Sequence, residues 1–221
     1  CLVGSEMCIR DRHHFEYLGS IVSDDCSLDK EVESRIAKAS RAFGSLSRIL
    51  WYQRKIKRHT KLRLFRAVIL PSLLYGCESW APLAHHVSRL QSFVMRCLRI
   101  ILGVSLWKKL RNTAIRERAG MPRISTLLME RRLRWLGHVG RMDVDRIARQ
   151  LVVARPAGAT RTAGGQKKRW RDAVVGDLRR CRLLETWREE CQDRNRWKQK
   201  VTDALQRANR EDEEEEQKQK D

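Results

Sequence analysis

The stretch FEYLGSIVSDDCSLDKEVESRI, residues 15–36, decides the fold. Its first half, FEYLGSIVS, is β-branched and aromatic with Gly19 in the middle, and is short enough to be one strand or half of a hairpin. The second half changes period. Ser27 is a plausible N-cap, Asp29 and Glu31 fall in a first helical turn, where the macrodipole favours acids, and an apolar stripe follows at Val32, Ile36, Ala39, Phe43, Leu46 and Leu50. Arg35, Lys38, Arg41 and Arg48 flank that stripe.

The Asp24-Asp25 pair at the junction raises a chemical question. Adjacent aspartates behind an apolar strand are what a polymerase uses to hold two cations about 4 Å apart. Such a pair needs a returning strand after it and another carboxylate from well upstream. Here a helix start follows and only two dozen residues precede, so the sequence predicts acids that lead into a helix, with no metal site and no catalytic residue.

Helical spacing then dominates. A second helix is expected from Thr60, with Leu62, Phe65, Ile69 and Leu73 on one face and Ala67, Val68 and Leu70 filling the others. Apolar nearly all round, it should be the most buried element, kinked or divided at Pro71. A third runs from about Leu83 through Val87, Leu90, Val94, Cys97 and Ile101. Asn112 can cap a short helix ending at Gly120, and after Pro122 another carries Ile124, Leu128, Trp135 and Val139. The fold class is therefore mainly α: a short N-terminal strand or hairpin, a helical bundle, and further C-terminal helices.

The expected boundaries are 13–26 for the strand segment, 27–104 for the bundle, 105–154 for a helical extension, 155–169 for a basic linker and 170–208 for C-terminal helices. Residues 209–221 read as an acidic disordered tail. Residues 1–12, CLVGSEMCIRDR, begin without Met and resemble translated adaptor sequence, so the chain is expected to be a fragment with a non-native start.

The 221 residues carry 47 Lys and Arg against 27 Asp and Glu, a net +20, and the last eleven residues alone contribute −5. A body this basic is suited to a polyanion, with nucleic acid ahead of an anionic membrane surface. The longest apolar run, AVILPSLLYGC, is interrupted at Pro71 and Ser72 and falls short of the roughly 18 residues a membrane span needs. The cysteines at 1, 8, 26, 77, 97, 181 and 191 show no C-x-x-C and no Cys/His quartet, which implies reduced thiols in a nuclear or cytoplasmic compartment rather than secretion. Cys77 and Cys97 are expected as small core residues.

The strongest binding signal is WYQRKIKRHTK, residues 51–61, which places Arg54, Lys55, Lys57, Arg58 and Lys61 in a connection between helices beside Trp51. Cations with adjacent aromatics suit phosphate contact and base stacking, and Trp51 is the preferred exception among seven tryptophans otherwise read as core. GGQKKRWR, with Lys167, Lys168 and Arg169, supports the same reading more weakly. His138 and Arg141 lie in LGHVGRM, where the imidazole either stacks on a base or touches a phosphate, or makes a structural hydrogen bond in a tight turn. His85 and His86 point about 100° apart on a helix and should not share an ion.

Taken in order, FEYLGSIVSDD, EVESRIAKASRAFGSL, TKLRLFRAVILPSLLYGCESW, RLQSFVMRCLRIILGV, RRLRWLGHVGRM and KKRWRDAVVGDLRR resemble the C-terminal part of reverse transcriptases of LINE-type, non-LTR retrotransposons. The likeness spans about residues 15–205. It implies that residues 13–26 are a remnant of the palm near the primer grip and that 27–104 form the thumb, with LLYGCESW at its centre. It also implies that the catalytic aspartates, their Mg2+ and an endonuclease lie upstream, so this fragment has no catalytic residue, cofactor or metal of its own. The implied partners are RNA, RNA–DNA hybrid, target DNA and the rest of the parent polyprotein, with no membrane. Some relatives carry a Cys/His knuckle in the C-terminal extension; this chain has none. The alternative is a free-standing basic helical module that binds nucleic acid or another protein.

Overall fold

The computed structural model describes residues 13–153 and 168–218. Among these, an N-terminal two-stranded hairpin is followed by ten α-helices, the mainly helical architecture that the change of period at residue 27 predicts. Strands β1 (His14–Tyr17) and β2 (Ser20–Ser23) pair antiparallel, with Phe15 opposite Val22 and Tyr17 opposite Ser20. FEYLGSIVS is thus the whole hairpin, not half of one. Leu18 and Gly19 both take positive φ, 48° and 81°, the mirror-image turn whose twist matches that of paired strands.

Asp24 and Asp25 lie beyond the hairpin and build the turn into the first helix. Asp24 meets His13 Nδ1 at 2.9 Å and accepts the Asp25 N–H, while Asp25 accepts the Ser27 N–H at 2.8 Å. Helix α1 (Asp29–Ser45) then buries Val32, Ala39 and Phe43. Glu31, expected in the first helical turn, and Arg35, expected to flank the apolar stripe, pack inward instead. Both are buried, with Arg35 Nε 2.7 Å from Glu31 Oε1 and Nη2 2.6 Å from Gly19 O. Glu31 also accepts the Ile21 N–H at 2.7 Å. A buried ion pair is tolerable when further hydrogen bonds satisfy both partners, and here those bonds fasten the hairpin to α1.

A π-helical turn (Ser47–Trp51) leads through a non-helical connection to α2 (Arg58–Leu64), which runs on without a break into a second π-helical turn (Phe65–Ile69) and α3 (Leu70–Leu73). Pro71 has no N–H to offer the preceding turn, and the chain adapts one residue earlier: the Leu70 N–H bonds five residues back, to Phe65 O. This run is not the most buried element. Arg66, Ala67 and Val68 are exposed, and the Arg66 guanidinium reaches across to cap the next helix pair at Ala119 O (2.6 Å) and Gly120 O (2.8 Å). The central helix is α4 (Ala84–Leu102), which buries Leu90, Phe93, Val94, Met95, Cys97, Leu98, Ile101 and Leu102. Burial pushes the Cys77 and Cys97 thiols up to about 12, as expected for inert core residues.

Helices α5 (Asn112–Ala119) and α6 (Ile124–Gly140) are separated by left-handed Gly120 and by Pro122. LGHVG is not the tight turn its two glycines suggest, because α6 runs through both. After α7 (Ile147–Val153) come α8 (Trp170–Arg180), α9 (Trp187–Glu190) and α10 (Arg194–Lys218). The last helix continues through the acidic residues expected to be disordered, since Glu and Lys are good helix formers once a packed N-terminal half has nucleated the helix. Two apolar cores result. One extends from Val32 to Leu128, so α5 and the start of α6 share the core of the bundle; the other joins Met129, Leu133 and Leu136 to α8 and α10. Among the described residues, no helix is long and apolar enough to cross a membrane.

Candidate nucleic-acid interface

In the 51–61 connection the fold has taken two of the predicted contacts for itself. Trp51 is buried, stacked on Phe43 with ring centroids 4.7 Å apart, and its Nε1–H donates to Phe43 O at 2.8 Å. It cannot present a face to a base. Lys61 is buried as well, its ammonium donating to Trp51 O at 2.8 Å at the end of the π-helical turn. The spacing of residues 51 and 61 gave no sign of this, because the contact depends on how the π turn doubles back on α2. Arg54, Lys55, Lys57 and Arg58 are exposed and have no partner among the described residues. Lys57 and Arg58 stand at the N-terminus of α2, where the macrodipole disfavours cations, so helix stability is not what this charge serves.

Lys167 lies outside the described residues. Lys168 donates to Pro82 O at 3.3 Å, and beside it Trp170 Nε1–H donates to Glu78 O at 2.7 Å, so this end of GGQKKRWR is a tether to the bundle. Arg169 is exposed, and its backbone N–H is capped by Asp172.

His138 and Arg141 are brought into a larger assembly. They line a cleft of about 930 Å3 between α6 and α10 together with Arg134, Arg194, Asn195, Trp197 and Lys198. On α6, glycine stands where the helix meets α10 and the turn that precedes it. A Cβ on Gly137 would lie 2.1 Å from Trp197 Nε1, and one on Gly140 would lie 2.6 Å from Cys191 Sγ. Each glycine costs a helix interior about 1 kcal/mol relative to Ala, a cost offset here by close approach. Trp197 is buried against this notch and donates to Leu133 O at 2.9 Å. The indole thereby fixes α10, and with it Arg194 and Lys198, opposite the exposed edge of α6.

The charge in the cleft is largely available. Arg194 and Lys198 have no partner among the described residues, and His138 is exposed. Arg134 is paired with Glu130 at 2.7 Å, and Arg141 uses one nitrogen to hold Cys191 O at 2.8 Å. Asp193 is a neighbouring acid, its carboxyl held below the usual range by the backbone N–H groups of Arg196 and Asn195 that it caps. The wall continues over Trp135, half-exposed and 5.3 Å from the His138 ring, toward Arg131 and Glu78. Arg134, Trp135, Arg194 and Lys198 escaped the sequence reading, although a signal was present. Arg134, His138 and Arg141 recur at spacings of four and three, and Arg194 and Lys198 at four, the rule that located the apolar stripes.

One cluster has metal-ligand composition. Asp29, His85 and His86 place their donor atoms within 4.8 Å of one another. Contrary to the expected divergence of adjacent histidines, both Nε2 atoms converge on Asp29 Oδ1, at 3.1 and 3.0 Å. The set does not fit a metal ion. His86 Nδ1 accepts the Leu83 N–H at 3.1 Å, so neutral His86 carries its proton on Nε2 and gives it to Asp29, leaving no lone pair for a cation. The cluster instead pins the start of α1 to the start of α4.

Comparison with known proteins gives one relationship. An uncharacterized transposon-derived protein of Caenorhabditis elegans is 23% identical over 195 residues, covering 85% of this chain and 69% of the relative. The chain is thus distantly related to a transposon-derived protein. No family profile and no solved structure matches it.

Proposed function

We propose that this chain is the thumb and C-terminal extension of a LINE-type retrotransposon reverse transcriptase, and that it holds RNA or RNA–DNA template-primer through backbone phosphates. The observation that carries the nucleic-acid part is the α6–α10 cleft, where Arg134, His138, Arg141, Arg194 and Lys198 face one volume large enough for a strand. The ordered motifs and the transposon-derived relative support the parentage. The exposed cations of the 51–61 connection add a second run of phosphate contacts. Chemistry belongs to the parent polymerase and its Mg2+; this segment positions the strand.

The test is binding of a labelled RNA–DNA template-primer at increasing salt. Each phosphate neutralised contributes about 0.7 to 0.9 to the slope of log affinity against log salt. A steep slope is expected, reduced in an Arg194→Ala, Lys198→Ala variant, and a flat one would refute the proposal. Heparin should compete. Indifference to heparin would favour a protein partner instead, for which the hairpin face of Phe15, Tyr17 and Val22 is one exposed apolar surface.

A further inference from the structure

A groove of about 570 Å3 follows the C-terminal half of α4, separate in its lining from the α6–α10 cleft. Met95, Ile100 and Val104 give it an apolar wall, Tyr52 flanks it with its side chain 66% exposed, and Arg96 and Arg99 bring positive charge. Arg99 is held in place by Leu110 O (3.0 Å) and Asn112 Oδ1 (2.9 Å), whereas Arg96 is exposed and has no partner among the described residues. Gln91, also on the groove, is oriented by the Ile124 N–H, which donates to its Oε1 at 3.0 Å; its Nε2 is left a buried donor with no acceptor. Beyond left-handed Gly103 the chain exposes Trp107, 92% accessible, among Lys108, Lys109 and Arg111.

These features discriminate between occupants. An apolar helix or a lipid tail would match the wall of Met95, Ile100 and Val104 but leave the Arg96 guanidinium unpaired. A paired duplex would match the charge, but its bases are stacked inside it and cannot enter. A flat heterocycle joined to a phosphate meets both the apolar wall and the charge. We infer that this groove takes an unpaired nucleotide of single-stranded nucleic acid, its base against Tyr52 and the apolar wall and its phosphate on Arg96, with Trp107 a stacking surface for a neighbouring base. This rests on the nucleic-acid reading above and adds to it a preference for single strands at a second place.

The full chain is titrated with two probes, a short oligouridylate and a blunt RNA–DNA hybrid. Tyr52→Ala should weaken oligouridylate binding about tenfold, the size of one lost base stack, while Tyr52→Phe retains it and neither alters hybrid binding. Tyr52 and Arg96 are both exposed, so the double alanine variant should keep the wild-type unfolding midpoint. In oligouridylates bearing thiouridine, photocrosslinks should map to the peptides containing Tyr52 or Trp107. Equal losses on both probes, or unchanged oligouridylate binding by Tyr52→Ala, Arg96→Ala, would overturn the inference. If the hybrid binds and responds to the Arg194 and Lys198 substitutions while the groove variants are silent, the groove alone is refuted. If wild type binds neither probe, the nucleic-acid reading falls with it.

Discussion

The 51–61 connection and the α6–α10 cleft are both rich in cations and both contain a tryptophan, yet they arrive at that state by opposite routes. In the connection the residues are neighbours in sequence, and folding disperses them: Trp51 turns inward to the Phe43 carbonyl and Lys61 to the Trp51 carbonyl, while Arg54, Lys55, Lys57 and Arg58 stay in solvent. In the cleft the residues come from helices more than fifty positions apart, and folding collects them around a tryptophan that is structural. Local density of charge is thus a poor guide to local concentration of charge in space. What concentrates it is a packing device, here two glycines facing an indole and a thiol.

The largest effect should come from removing that device. Trp197→Ala deletes a fully buried indole and its bond to Leu133 O, and should cost roughly 3–5 kcal/mol of stability, read as a lowered urea midpoint. Template-primer affinity should fall with it, because Arg194 and Lys198 ride on the helix that Trp197 anchors. A midpoint within error of wild type would mean that the cleft does not depend on this contact. Gly137→Ala attacks the same interface from the other side. Its added methyl meets Trp197 Nε1 at 2.1 Å, so despite the better helix propensity of Ala it should destabilise by about 2 kcal/mol. An unchanged or raised midpoint would show that the indole can move aside without loss.

Smaller effects should separate the two cationic regions. Arg194→Ala, Lys198→Ala should lower the salt slope for hybrid binding by about 1.4 to 1.8, and Arg54→Ala, Lys55→Ala should lower it less, because an open connection leaves its cations spread along solvent. Equal slopes would remove the distinction between collected and dispersed charge. A larger loss for the connection would transfer the principal site there.

Much of this fold was legible in the sequence because four-three spacing maps directly onto helix faces, as with Val32, Ala39 and Phe43 in α1, and Gly120 with Pro122 marked a true helix end. The hairpin was half legible, since FEYLGSIVS has no Asn-Gly or Asp-Gly turn and instead strains Leu18 into a positive φ. What misled was glycine in α6. Gly137 and Gly140 are breakers by propensity, and only knowledge of Trp197 and Cys191, some fifty residues later, explains them as contact points. The site followed the same pattern. His138 and Arg141 stand out locally; Arg194 and Lys198 carry the same four-residue spacing, but nothing local states which helix crosses which. Trp51 failed for a complementary reason, as its cationic neighbours concealed a partner, Phe43, on the preceding helix.

The smallest effect concerns the part of the bundle away from both cationic regions, and it is one of pH. Hydrogen bonds from Ser27 Oγ, then His85 and His86, hold the Asp29 carboxyl well below the usual carboxylate range, while burial pushes the His86 imidazole below its ordinary 6.5. For His86 the folded protein keeps the ring neutral where the unfolded chain would protonate it. Below about pH 6.5 the unfolded state therefore binds more protons and stability declines. For Asp29 the stabilising contribution is complete above the ordinary carboxylate value of 3.8 and is lost as pH falls through the lower folded value. The urea midpoint should accordingly drop in two stages on acidification. His86→Gln should abolish the upper stage and Asp29→Asn should reduce the lower one. A wild-type midpoint that stays level from pH 7 to about pH 5 would show that His86 can accept its second proton at Nδ1 without disturbing the Leu83 N–H, and that the α1–α4 junction is not held by the tautomer assigned to it.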